Sequence, residues 1–122
     1  ALDWTDLRDL AEIKASKLRE IKSAAAATSV GGFTAAGIPW DSDLTTQQAM
    51  QLTWQDMKES DGPTSVQWPD ADGTMRNLNA NQFKALCRAL RNHIKDQQEK
   101  AATLRSQIAA ATTKAELDAI TW

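Results

Sequence analysis

Apolar positions recur along the chain with two periods, and the changes of period divide it into elements. Leu7, Leu10, Ala11, Leu18, Ile21 and Ala25 follow one another at mostly three- and four-residue steps, which predicts a helix over 4–27 with one apolar stripe. Asp3 or Thr5 can cap its start, and Asp6 falls in the first turn, where the helix dipole favours a negative charge. Lys14 and Lys17 interrupt that stripe, and Gly31-Gly32 closes the helix. The short apolar arms of 31–41, punctuated by Gly32 and Gly37, predict a β hairpin whose second arm, with Pro39, is an edge. Asp43 is a natural N-cap for a helix over 44–59, on which Met50, Trp54 and Met57 share a face. Asp61-Gly62-Pro63 breaks the chain. A second hairpin is predicted over 64–78, with Val66 and Trp68 on one arm and Asp72-Gly73 at the turn.

The clearest period lies in the last third. Asn79, with Gln82 three residues on, forms a capping-box start for a helix over 80–111. Phe83, Cys87, Leu90, Ile94, Gln97, Ala101, Leu104, Ile108 and Ala111 then alternate three- and four-residue steps, a coiled-coil-like seam. Such a helix would be about 48 Å long and the first one about 36 Å, so each is the obvious packing partner of the other. A short helix over 114–120 follows Thr112 or Thr113 as cap, and Trp122 ends the chain. The fold class expected is α+β and mostly helical. An antiparallel pair of long N- and C-terminal helices brackets a small antiparallel β-sheet and a shorter helix, all in one domain over 1–122.

Composition adds exclusions more than identity. In 122 residues with 25% charged and 42% hydrophobic, a net charge of −2 gives no basic face for nucleic acid. The most apolar stretch, Ala24–Ala27, is far too short to span a bilayer, and nothing at the start reads as a secretory signal. The aromatic set is unusual: five Trp, two Phe and no Tyr. Indole combines a large apolar body with one N–H donor and suits cores and interfaces alike. Trp54 and Trp68 are expected in the core. Trp40, beside Pro39 on an edge, and Trp122, at the terminus, are the candidate partner-binding residues, because exposed indole is costly unless covered. The competing reading of Trp122 is that it folds back on the helix pair.

No catalytic, metal or cofactor site is expected. His93 is the single histidine, and Asn92 and Asp96 do not complete a ligand set or an acid–base pair around it. Cys87 is the single cysteine, which excludes an internal disulfide, and its apolar neighbours predict packing rather than reactivity. Asp70-Ala71-Asp72-Gly73 opens like a calcium loop but lacks the closing bidentate Glu, so a turn is expected there. Asp41 and Asp43 are better explained by helix capping than by a cation.

With these features in order, the chain resembles a domain family of unassigned function, common near the C-termini of tailed-bacteriophage tail proteins and tail fibre assembly proteins. The matching residues are Gly32-Phe33, Gly37, Trp40 where the family usually has Phe, Ser42-Asp43, Thr46-Gln47 where it usually has Ser-Gln, Trp68, the Asp72 turn, Leu78, His93, Leu104, Ile108, Ala109 and Ala110, then Thr112 to Ile120. The resemblance runs from about residue 10 to the end, and its specificity lies in the ordered set rather than in any one motif. It implies a phage setting, no cofactor and no catalytic residues to transfer. The expected function is a non-catalytic protein-interaction module in tail fibre attachment or assembly, either a virion tail component or a fibre chaperone. Its expected partner is a phage tail fibre or baseplate protein, in a homo-oligomer or a symmetric tail complex, with no nucleic acid and no membrane. Its expected location is the phage tail or the host cytoplasm during assembly. The alternative is a small phage protein that binds and inhibits a host target. Ala1 need not be a natural start, and the chain could be a domain of a longer tail protein.

Overall fold

The structure is a computed structural model, which describes the backbone from Trp4 and the side chains from Asp9 to Trp122. The caps read at Asp3 and Thr5, the first-turn Asp6 and the stripe residue Leu7 lie outside those described side chains. The protein is α+β with helix predominant. In chain order its elements are α1 (Trp4–Ser29), β1 (Phe33–Ala35), β2 (Ile38–Trp40), α2 (Leu44–Lys58), β3 (Ser65–Pro69), β4 (Met75–Asn79), α3 (Ala80–Ala110) and α4 (Lys114–Asp118). β1 pairs with β2 and β3 with β4, both antiparallel, as two separate two-stranded sheets. Tertiary contacts sort the residues into two compact units: a terminal unit, formed by the segment ending at Ala27 together with Asp96–Trp122, and a central unit, Thr28–Lys95.

In the terminal unit, Ile21, Ala101, Ile108, Ala111, Leu117 and Ile120 are buried together, with Leu10, Ile13, Ala25, Leu104 and Trp122 packed against them. Lys14 and Lys17 have a role that the stripe pattern hides. Lys14 Nζ donates to the Ala109 carbonyl at 3.1 Å and Lys17 Nζ to the Ile120 carbonyl at 3.0 Å. Ala109 lies in the last turn of α3, where a carbonyl lacks an intrahelical donor, and Ile120 lies just past α4; a lysine ammonium supplies each with a donor while its stem covers apolar surface. Thr113 is the cap of α4: its hydroxyl accepts from the Glu116 N–H, while the Glu116 carboxylate accepts from the N–H of Thr112.

The central unit is organised by its turns. The hairpin β1–β2 closes through Ala36 and Gly37, both at positive φ (54° and 74°), the conformation of a tight two-residue turn whose twist suits paired strands. Its register sets Phe33 opposite Trp40. Ser42, fully buried, joins three segments: its hydroxyl donates to the Ser29 carbonyl and accepts from the Gly32 N–H, both at 2.8 Å, and its carbonyl accepts from Gln47 Nε2 at 2.7 Å. Asp43 caps α2, accepting from the Thr46 N–H and from its hydroxyl. At the start of α3, Asn79 and Gln82 exchange side-chain-to-backbone bonds, each 2.9 Å, as a capping box does.

The central core holds Phe33, Trp40, Met50, Met57, Phe83, Leu86 and Leu90, with Trp54, Val66, Trp68, Leu78 and Cys87 among the residues packed against it. Along α3 the buried positions run Phe83, Leu86, Leu90, so Leu86 takes the place that the seam assigned to Cys87, which is only half-buried. Both choices satisfy a three- and four-residue alternation, and only the neighbours decide between them.

Candidate functional site

The elements of the central unit enclose an apolar groove of about 490 Å³. One wall is the tip of the first hairpin, with Ala35, Ala36 and Ile38; the other is the first turns of α3, with Gln82, Ala85, Leu86 and Ala89; Trp40 also lines it. Alanine at 85 and 89, one helical turn apart, leaves room where larger side chains would fill the space. Arg76, Asn77 and Leu78 of β4 complete the lining. Successive side chains of a strand point to opposite faces, so three consecutive residues can border one groove only along the strand's edge.

The hydrogen-bond pattern shows which groups that edge presents. The Asp70 N–H donates to the Thr74 carbonyl and the Ala80 N–H to the Thr64 carbonyl, which makes 70/74 and 64/80 hydrogen-bonded pairs of the ladder. Alternation along an antiparallel ladder then makes Gln67↔Asn77 a non-hydrogen-bonded pair, so the N–H and C=O of Asn77 point away from β3. No further strand pairs with β4 among the described residues.

Beside the groove, Asp70 governs the second turn. Its side chain is 2% exposed, and Oδ1 accepts from the N–H groups of Asp72 (2.9 Å) and Thr74 (3.0 Å), while Oδ2 accepts from Arg76 Nε and Nη2, both at 3.0 Å. Burial by itself would raise the Asp70 pKa, but the bonds from Thr74, Arg76 and Asp72 and the Arg76 charge outweigh it and hold the carboxyl below its usual 3.8. The adjoining Ala71 N–H donates to the Pro39 carbonyl at 2.9 Å, tying this turn to the first hairpin. The calcium-like look of Asp70–Gly73 is thus accounted for by a turn in which the buried carboxylate faces a guanidinium.

The exposure expected of Trp40 is corrected: its indole is 4% exposed, packed in the core opposite Phe33, with Nε1 donating to the Ala35 carbonyl at 3.2 Å. Both the apolar body and the N–H find partners within the hairpin's own surroundings, so edge position does not mean exposure. Trp122 is half-buried against the terminal core, with the Lys100 ammonium 4.4 Å from its ring centroid, a cation–π contact. Trp54 and Trp68 pack against the central core, Trp68 edge-on to Phe83 at 5.3 Å. His93 stacks on Phe33 with centroids 5.9 Å apart, and its Nε2 lies 2.9 Å from the Thr28 carbonyl. A carbonyl can only accept, so the ring nitrogen donates. Burial raises the Cys87 thiol to about 11, which keeps it protonated and unreactive near neutrality.

The groove-lining residues Ala35, Ala36, Ile38, Arg76, Ala85, Leu86 and Ala89 were not singled out in the sequence. Only the pair Ala85/Ala89 leaves a trace there, as small residues at helical spacing beside a heavier seam. Chemically, this lining offers apolar surface, one guanidinium, two side-chain amides and a strand edge, a set suited to binding. Among the described residues no group of three or more His, Cys, Asp and Glu could hold a metal ion, and no helix is long and apolar enough to cross a membrane.

Residues 12–121 match the family described as a domain of unknown function, DUF4376, and the chain belongs to that family. No curated relative and no solved structure matches it. The residues of the resemblance have physical roles in the fold: Gly37 turns the first hairpin, Ser42, Asp43 and Gln47 join and cap segments, and Trp40 and His93 pack on or around Phe33.

Proposed function

We propose that the domain is a non-catalytic protein-interaction module of the tailed-phage tail, acting in fibre attachment or assembly as a tail component or a fibre chaperone. The observation that carries the interaction reading is the groove, an apolar surface channel beside an open strand edge in a unit whose conspicuous polar side chains are occupied with turns and caps. The phage setting rests on the ordered resemblance of the sequence to domains of tail and fibre assembly proteins. A fibre or baseplate protein is the partner, and a symmetric tail complex, including a homo-oligomer, is the assembly in which it acts. An antiparallel pairing of the two long helices fits this role as a stiff support, and it is favoured by Lys14, in the first half of α1, reaching Ala109, near the end of α3.

Co-expression with the neighbouring fibre protein tests the reading: the two are expected to co-purify, and separate elution would defeat it. Mass spectrometry of purified particles separates tail component from chaperone. A protein absent from particles that captures a host protein instead of the fibre would be the host-directed inhibitor.

A further inference from the structure

We infer that the groove takes an extended segment of the partner protein, which adds as a strand to the free edge of β4 through the N–H and C=O of Asn77. The inference rests on the interaction-module reading but not on the phage setting. Its first support is the ladder pattern: the outward pair of groups on Asn77 is spaced as one bridge of an antiparallel or parallel strand requires. The second support is where this edge lies. Arg76 and Leu78, the half-buried residues flanking Asn77, face inward, beside a groove lined by Ile38, Trp40, Leu86 and Ala89.

An added strand would therefore turn one side chain outward at the level of Asn77 and its two neighbours inward, into the space left by Ala85 and Ala89. Two apolar side chains separated by one residue, of valine or leucine size, match this floor. Charge complementarity sets the rest of the sequence. Arg76 is the groove's one ionisable lining residue, and Asp70 engages its Nε and Nη2, leaving outer N–H groups of a guanidinium that carries five. Its side chain is 43% exposed. A segment with an acidic residue at that end is matched, and one with a lysine there is not. Backbone bonds thus give affinity, while the alternate apolar positions and the acidic end give selectivity.

The probe is a synthetic peptide of alternating valine and threonine closed by an aspartate, titrated into the ¹⁵N-labelled chain. Saturable binding is expected, with slowed exchange of the Asn77 amide and shifts confined to β4, the first hairpin and the start of α3. Asn77→Pro removes the outward N–H without touching the β3–β4 ladder, and Ala85→Leu fills the groove from an exposed position of a helix. Each folded variant is expected to weaken binding about tenfold or more, the scale of one lost hydrogen bond or of occupied space. Replacing the aspartate by lysine should weaken it by about threefold, the scale of an exposed ion pair.

Failure to bind, an unshifted Asn77 amide, or equal binding by Asn77→Pro and Ala85→Leu would overturn the inference. So would a dimer of the free chain that Asn77→Pro abolishes, because the edge would then belong to a second copy. A fibre protein that co-purifies equally with Asn77→Pro would leave the interaction-module reading standing and remove this one. Peptide binding without fibre co-purification would do the reverse to the phage setting alone.

Discussion

The terminal unit draws its core from two segments far apart in sequence, whereas the central unit closes within Thr28–Lys95. In the first, helices supply almost everything, and the polar side chains that serve backbone groups among the described residues include Lys14 and Lys17 on the Ala109 and Ile120 carbonyls, the Thr113 cap and the Glu116 carboxylate on Thr112. In the second, hairpins and short loops leave many backbone groups unpaired. Buried or half-buried side chains take over there: Ser42 on Ser29 and Gly32, Asp70 on Asp72 and Thr74, His93 on Thr28. The contrast follows from accounting for backbone polar groups. A helix pairs its own, while an irregular segment must borrow partners, and a buried group without one costs about 1–3 kcal/mol. The unit with more turns is therefore the more sensitive to polar substitutions, and the two are equally sensitive to lost apolar volume.

That equality is the first thing to test. Phe83→Ala in the central unit and Leu117→Ala in the terminal unit each empty a fully buried site. Phe83→Ala should cost about 3–5 kcal/mol and Leu117→Ala about 2–5 kcal/mol in urea unfolding. Native-state hydrogen exchange should assign the larger loss of protection to the unit carrying the lesion; an even loss across both would show that the two units open as one.

Ser42→Ala strips a buried acceptor from Gly32 and a donor from Ser29, and a loss of about 2 kcal/mol is expected by thermal or urea melting. A loss below about 0.5 kcal/mol would mean that the central unit does not depend on borrowed polar partners.

Asp70 sharpens the same point through pH. Its folded pKa is depressed below 3.8, so the stability it contributes is fully present above the unfolded value and is lost as pH falls through the lower folded one. Asp70→Asn should be less stable than the parent near neutrality, with the gap closing below about pH 4. An undiminished gap at pH 2 would show that the carboxylate charge is not what holds the turn.

In the terminal unit the corresponding polar change should matter less. Lys17→Met keeps an apolar stem and removes the ammonium from the Ile120 carbonyl, with an expected loss of about 0.5–1 kcal/mol. A loss as large as that of Ser42→Ala would overturn the ranking. The smallest effect has the opposite sign. Ala36 sits at φ 54°, which an L residue adopts at some cost, and Ala36→Gly should stabilise the first hairpin by up to about 1 kcal/mol in the same melts. A destabilised variant would indicate that the turn carries no strain at this residue.

Local signals read correctly where the partners of a residue lie within a few positions of it. Asp43 on Thr46, Asn79 with Gln82, Thr113 on Glu116 and the Asp72-Gly73 turn are all of this kind, because a cap or a tight turn is satisfied by the next three or four residues. The two periods of the apolar pattern likewise gave the helix-rich α+β class, since side-chain direction along helix and strand is a property of the backbone.

Long-range partners decided everything else. Trp40 looked available because it stands next to a proline on an edge, yet burial is set by what packs over it, and Phe33 and the rest of the central core do so. Lys14 and Lys17 looked like breaks in a stripe until the carbonyls they reach, 95 and 103 positions away, came beside them. Leu86 and Cys87 satisfied the same spacing, and the groove exists only because a hairpin tip, a strand edge and two alanines of α3 converge. The sequence by itself therefore determined which segments turn, cap and repeat, for these are nearest-neighbour physics. Tertiary structure alone determined which aromatic and cationic side chains are covered and where a surface stays open, because burial depends on what packs over a residue, and that is set by other elements, up to 95 and 103 positions away for Lys14 and Lys17.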